Sequence, residues 1–475
     1  MRLQQQPAQG PATEAATLSP VGLGVLVACQ ILPQIDFSIV NVALDPIGRS
    51  LGSAANGLVL VVAFYALAFA TLLAAGGRLG DRYGRKRLLL AGIAGFGLAS
   101  GLCGLAGSLP MMLFGRLLQG ACGALLMPQI LATIHASLHG PRHRRAVGIY
   151  TAIGGLSVAI GQILGGWLVS ADLFGLGWRL GFFVNLPICA AALILALRNV
   201  PDSRGAELRS LDFRGMGLFA AFLLCLLLPV ALGGAWPAMH WLLLGLVPAG
   251  LALWRVESAL EARGERPLMP PSLFRVPGAP VGFLAQGAVT FCYSGFLFVT
   301  ALCLQRHIGF SPRQSGDSFG SLGLMFFLGS MIGKRQDNGQ AFVLGAIITV
   351  AGLAGCSGCL YAYGRDLHLW QMMLGTGLVG LGNAFMLTSA YRIILSNIGV
   401  QHAGEASAAV STMQQGCYAL GTAVAATLYG RMLGQGYPVA FMATMGALSL
   451  ILLVVSALVW QRQRAVRPPL DPMAC

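Results

Sequence analysis

Two charged residues lie deep inside long apolar runs of this 475-residue chain: Asp36 and Arg116. A charge at the centre of a bilayer costs about 2.5–3.5 kcal/mol on insertion scales, so each needs a partner or a wet cavity. The two runs are expected to cross in opposite directions. Counted at 1.5 Å per residue, both charges fall roughly 8–12 Å below the same surface. They therefore predict an ion pair of proton-coupling type, Asp36 with Arg116. The alternative is a structural pair that only ties two helices together. A carboxylate paired with an Arg can load a proton only if that distance, or its hydration, changes between states. That change would be the coupling step.

Other chemistry is weaker. Gln30, Gln34, Ser38 and Asn41 fall within about 80° of one another on a helix, with Asp36 on the far side. Either this stripe lines a substrate cavity while Asp36 faces its own bundle, or the reverse. Gln119, and from the second half Gln286, Phe291, Tyr293, Asn383, Tyr391, Gln414, Gln415 and Tyr418, are candidates for the rest of such a cavity. His135, His139 and His143 have helical metal-ligand spacing, but Gly140 and Pro141 interrupt any helix there. Cys356 and Cys359 form a CxxC without a second ligand pair. No metal site, no cofactor and no catalytic constellation is expected; neither a nucleotide-binding fingerprint nor a nucleophile–base set is found.

The elements that must hold these residues follow from composition. Hydrophobic residues make up 56% of the chain and charged ones 10%, with mean hydropathy +0.74. Soluble domains carry about 25% charged residues, so a soluble enzyme, a secreted disulfide scaffold and a coiled coil are excluded. The net charge of +14 is not a nucleic-acid signal, because the basic residues sit in short clusters between apolar runs rather than on one face.

Spans of about 20 apolar residues predict an all-α integral membrane protein of fourteen transmembrane helices. Residues 1–17 form a polar tail without signal-peptide character, and 18–198 a six-helix bundle. An inserted helix pair with its loops occupies 199–279, a second six-helix bundle 280–460, and a tail 461–475. The span at 318–333 is short. With both termini cytoplasmic, basic residues favour the inner segments by roughly four to one, as the positive-inside rule requires. The seven tryptophans fall near predicted span ends, as an aromatic belt would. Equal halves suggest a duplicated bundle with its site at the mutual interface.

The loop after the second run reads Gly77-Arg78-Leu79-Gly80-Asp81-Arg82-Tyr83-Gly84-Arg85-Lys86-Arg87. Positive-inside charge explains its basic residues but not the spacing of its glycines and Asp81. This segment resembles the signature between helices 2 and 3 of the major facilitator superfamily. Ile35 to Leu44 resembles the first-helix motif of that superfamily's fourteen-span drug:proton antiporter branch. Leu113-Phe114-Gly115-Arg116-Leu117-Leu118-Gln119-Gly120 is similar to its fourth-helix motif, in which the Arg is linked to proton transfer. Gly154, Gly155, Gly161, Gln162, Gly165 and Gly166 resemble its antiporter motif in helix 5. Similar segments continue at Trp178-Arg179, Asn185-Leu186-Pro187, Asp212-Phe213-Arg214-Gly215, Leu273-Phe274-Arg275 and His402 to Ser407. The chain departs from the pattern at Gln162, where the motif has Pro, and at Asp45, which precedes Pro46 where the motif runs directly from Leu to Pro. The loop at Gly333 to Gly339 is shortened.

The resemblance implies a proton-coupled antiporter, working by alternating access, that exports small amphipathic compounds across the bacterial cytoplasmic membrane. In it, Gly77, Asp81, Arg82, Gly84, Arg85 and Lys86 would form the gating motif. The expected partners are amphipathic substrates and the lipid bilayer, with a monomeric chain, a periplasmic adaptor as an option, and no nucleic acid. A proton-coupled metabolite symporter on the same fold is the alternative.

Overall fold

A computed structural model of the chain describes residues 18–53, 55–204, 212–233, 236–265, 267–332, 338–396, 398 and 403–466. The predicted tails at 1–17 and beyond 466 lie outside these residues, as do most of the shortened loop at Gly333 and the Gln401-His402 pair.

Among the described residues the chain is helical, without strands. Helix α1 (Pro20–Ser50) starts at a Ser19 cap and continues through Pro33 and Pro46. Then follow α2 (Ala55–Tyr83), α3 (Arg85–Gly104), α4 (Leu109–Ser137), α5 (Gly140–Ala171), a four-residue α6 (Leu180–Phe183) and α7 (Asn185–Asn199). The inserted segment forms α8 (Phe213–Leu232) and α9 (Leu246–Ala262). The remainder forms α10 (Ala279–Cys303), α11 (Pro312–Asp317), α12 (Gly320–Ile332), α13 (Asn338–Tyr363), α14 (Leu369–Leu395), α15 (Ala403–Met432) and α16 (Tyr437–Val466).

Eleven of these helical segments are long and apolar enough to cross a membrane. Three of the fourteen predicted spans are not among them. In helix α5 most side chains of residues 151–159 lie outside the described residues, which leaves the apolar stretch Ile160–Ala171. Helix α12 has only 13 residues. Helix α15 is diluted by Ser, Thr and Gln residues.

Helices α1–α7 pack chiefly on one another, and so do α10 and α12–α16, while the short α11 packs chiefly on α5. The seam between the groups runs where α2 meets α15, α5 meets α11 and α12, and α1 meets α10. The inserted α8 lies along this seam, against both α2 and α15, with α9 outside it. Five tryptophans (Trp167, Trp236, Trp241, Trp254 and Trp370) are exposed, as belt residues are. Trp178 is a correction to that expectation. It is buried, edge-on to Phe182 with ring centroids 6.0 Å apart, and serves the core.

Candidate functional site: a buried ion pair beside a pocket at the seam

Asp36 and Arg116 meet inside the first helix group. Asp36 Oδ2 accepts from Arg116 Nη1 at 2.5 Å, and both residues are fully buried. Helix α4 supplies Gln119 one turn after Arg116. Its Nε2 donates to Asp36 Oδ1 at 2.7 Å and to Ser100 of α3 at 2.7 Å, while its Oε1 accepts from Arg116 at 2.6 Å. Asn185, the first residue of α7, donates to Asp36 Oδ1 at 3.0 Å and to Ser100 at 3.2 Å. From α2, the Val61 carbonyl accepts from Arg116 Nε at 3.0 Å, and Tyr65 lies under the guanidinium at 4.2 Å. Helices α1, α4 and α7 therefore meet at the carboxylate, with α2 and α3 holding its partners Arg116, Gln119 and Asn185. A charge buried this deeply is held by hydrogen bonds from every side. One donor remains free: Arg116 Nη2 is buried without a partner.

The open question about α1 has an answer in this conformation. Asp36 faces its own group, and the opposite side of the helix faces the seam. A pocket there is lined by Pro33, Gln34 and Phe37 of α1, Tyr65 and Phe69 of α2, Met127 of α4, and Gln415 and Tyr418 of α15. Phe37 and Tyr418 meet across the seam, tilted at 48° with centroids 5.2 Å apart. Tyr65 belongs to both sites, as one wall of the pocket and the cation–π partner of Arg116. Its hydroxyl approaches the Pro33 carbonyl at 3.4 Å. Any movement of α1 against α2 therefore changes pocket and ion pair together.

Of the cavity candidates, Gln34 and Tyr418 line the pocket. Gln119 does not; its amide is engaged by Asp36, Arg116 and Ser100. Of the adjacent candidates Gln414 and Gln415, Gln415 lines the pocket. Ser38 and Asn41 donate to carbonyls of their own helix, those of Gln34 and Phe37. Gln30, Tyr293 and Asn383 are buried elsewhere in the helix packing. Sequence reasoning gave Tyr65 and Ser100 no role, because a single Tyr or Ser in an apolar run resembles packing. Asn185, quoted only as part of a motif, is an amide at the start of an apolar helix.

The loop between α2 and α3 folds back on its own group. Gly84, at φ +105, occupies a conformation that favours glycine and caps α3. Asp81 accepts from Arg85 Nη2 at 2.9 Å, and Arg85 Nη1 donates to the Ala132 carbonyl near the end of α4. Lys86 donates to the Leu197 carbonyl of α7 at 2.9 Å, and Arg82 stacks on Tyr83. A side chain at Gly80 would collide with Gln129, while Gly77 lies against Pro128.

At the other end of the molecule, the Asp45 end, the groups are latched together. Asp45 Oδ1 accepts from Arg306 Nε at 2.7 Å, and Asp45 also pairs with Arg49. Pro46 has no N–H and leaves the Val42 carbonyl without its helical donor. Gln305 of the opposite group supplies one at 3.0 Å. Gln305 and Arg306 lie in a π-helical turn, Leu304–Ile308, a distortion that often marks functional sites. Helix α5 closes the same end. A side chain at Gly166 would meet the Pro312 backbone and one at Gly316 the Gln162 carbonyl, while Gly161 and Gly165 bring α5 against Ile35 and Ile39 of α1. Gln162 is fully buried there with both amide atoms unpartnered. Gly154 and Gly155 fall in the same helix; their packing lies outside the described residues.

The three histidines form no metal site. His139 caps α5, while His135 Nδ1 and His143 Nε2 meet at 2.6 Å. Among the described residues no group of three or more His, Cys, Asp or Glu could hold a metal.

A multi-pass helical membrane protein with a buried ion pair and a pocket at the seam of two helix groups has the organisation of a transporter. The chain matches the Major Facilitator Superfamily over residues 26–415 and belongs to that family. It is 33% identical over 452 residues to the probable actinorhodin transporter of Streptomyces coelicolor, covering 90% of this chain and 77% of that protein. It is 31% identical to the tetracenomycin C resistance and export protein of Streptomyces glaucescens, covering 89% and 77% of the two chains. It is 30% identical to the multidrug resistance protein Stp of Mycobacterium tuberculosis, covering 89% and 76%. Among solved structures, a POT family transporter in complex with a thioalcohol-conjugated peptide superposes with TM-score 0.68 at 14% identity, covering 94% of this chain and 97% of that one. That likeness concerns the fold alone. The chain is thus a membrane transporter, not an enzyme.

Proposed function

We propose that this transporter exports small amphipathic compounds, drugs or toxic metabolites, in exchange for protons across the bacterial cytoplasmic membrane. In this reading it is a fourteen-span antiporter of two six-helix bundles, with both termini and the Arg85 loop in the cytoplasm. Export is supported by the relatives, which are named as export and resistance proteins. Proton coupling rests on one observation: a fully buried Asp36 bonded by Arg116 and Gln119 of α4 and Asn185 of α7, with an Arg donor left over beside it.

The latch at Asp45 then closes the periplasmic side, and cargo enters from the cytoplasm along the seam, where the small pocket behind Tyr65 has to widen to take it. Rocking the groups about the seam would break the latch and move α1 against α2. That movement alters the Asp36–Arg116 contact and so the proton affinity of Asp36. The proton is the coupling ion, and no cofactor or metal takes part. The chain acts as a monomer, with a periplasmic adaptor as an optional partner.

The test is transport in proteoliposomes with pH gradient and voltage varied separately. Cargo accumulation that follows the pH gradient at zero voltage is expected. Accumulation indifferent to both gradients would overturn the reading.

A further inference from the structure

Two carboxyl groups of the inserted helix pair are used by nothing above. Asp212 caps α8, its Oδ1 accepting from the Gly215 N–H at 2.7 Å. Glu257 lies near the end of α9, and its Oε2 accepts from the Met269 N–H at 2.9 Å. They are 7% and 2% exposed. Each thus has one oxygen occupied by the backbone, while the others, Asp212 Oδ2 and Glu257 Oε1, are buried without a partner. These two orphan oxygens share one place. A Cβ built on Gly215 would lie 2.1 Å from the first and 2.4 Å from the second. Two ionised carboxylates facing each other in a buried site repel strongly. A single proton between them satisfies both oxygens at once.

We propose that Asp212 and Glu257 form a proton-binding site, with one proton held between Asp212 Oδ2 and Glu257 Oε1, that clamps the inserted helix pair to α2. Met269, fixed by Glu257, packs with Leu268 against Leu67 and Ala70 of α2 and Phe219 and Leu223 of α8. Further along α2, Arg78 is the cation whose charge reaches Glu257. Helix α15, also packed on α8, presents Ala419 and Leu420 to it. On α9, Glu261 is engaged by the Ser272 N–H, and Arg255 and Arg263 are exposed, as is Arg214 on α8. With one proton the pair carries a single negative charge, which Arg78 balances. Without it, two negative charges share one pocket and the clamp loosens. Arg78 lies on α2 within the Gly77–Arg87 segment, so the state of this site reaches the turn between α2 and α3.

The test is thermal unfolding of the full chain in lipid nanodiscs from about pH 6 to pH 9. The folded state holds this proton more tightly than the unfolded state, so stability falls as pH rises. The wild type is expected to lose several degrees in Tm across the range. Glu257→Gln supplies a donor in place of the proton and is expected to flatten that fall, unfolding above the wild type at the alkaline end. Asp212→Asn does the same from the other side and serves if the first variant does not fold. The infrared band of a protonated carboxyl is expected in the wild type at neutral pH and is expected to lose intensity in each variant. Parallel pH profiles for wild type and both variants, or a wild-type band unchanged by either substitution, would contradict the proposal. A wild-type Tm restored at alkaline pH by sodium but not by choline would also contradict it, making the occupant a metal cation.

Discussion

At the scale of single residues, the Asp36 cluster separates two roles that one substitution usually confuses. Arg116→Met leaves a fully buried carboxylate facing only amide donors. Breaking a buried pair from one side costs about 3–5 kcal/mol, so the variant is expected to unfold at clearly lower temperature. Asp36→Asn keeps the size and much of the hydrogen bonding, and is expected to spare stability far more. Comparing the two in a melting experiment separates the pair's structural contribution from its proton. Tyr65→Leu tests the wall between pair and pocket. It removes the ring under Arg116 without touching Asp36, and is expected to weaken the pH dependence of transport together with cargo affinity. An unchanged pH profile in Tyr65→Leu would show that pocket and ion pair are independent.

At the scale of elements, α5 and the π-helical turn after α10 decide how firmly the Asp45 end closes. Gln162 places two unpartnered polar atoms in that contact, and an unsatisfied buried group costs roughly 1–3 kcal/mol. Gln162→Leu is expected to favour the closed end, seen as a narrower distance distribution between spin labels across it. Asp45→Asn acts in the opposite sense. Losing a partly exposed ion pair costs about 1 kcal/mol, a roughly fivefold shift toward the open form. Wild-type distance distributions in both variants would show that these contacts do not bias the gate.

Much of this was legible in the chain. The depth of two lone charges predicted their meeting, and apolar run lengths predicted the helices. What stayed hidden depends on packing between elements far apart in sequence. The stripe containing Gln34 and the face of Asp36 are symmetrical possibilities until α3, α4 and α7 are placed around one of them. Arg306 lies 261 positions from Asp45, and nothing local links them. Yet the departures from the family pattern, Gln162 and Asp45, both fall in the closed end.

At the scale of the whole molecule, exchange against one proton sets an upper limit on work. A proton moving inward yields about 2.3 kcal/mol per 100 mV and about 1.4 kcal/mol per pH unit. For a neutral cargo at one of each, the sum of about 3.7 kcal/mol supports a gradient of roughly 500-fold. For a monovalent cation the voltage cancels, leaving about tenfold per pH unit. Accumulation of a dication driven by voltage would contradict a one-proton cycle through Asp36.

The most direct measurement compares wild type and Asp36→Asn in proteoliposomes by two assays. One is exchange of labelled for unlabelled cargo with no gradient; the other is accumulation driven by a pH gradient. The variant is expected to retain exchange, because the pocket and seam are intact, and to lose driven accumulation, because the side chain that carries the proton is gone. Driven accumulation at the wild-type level in Asp36→Asn would contradict the central claim.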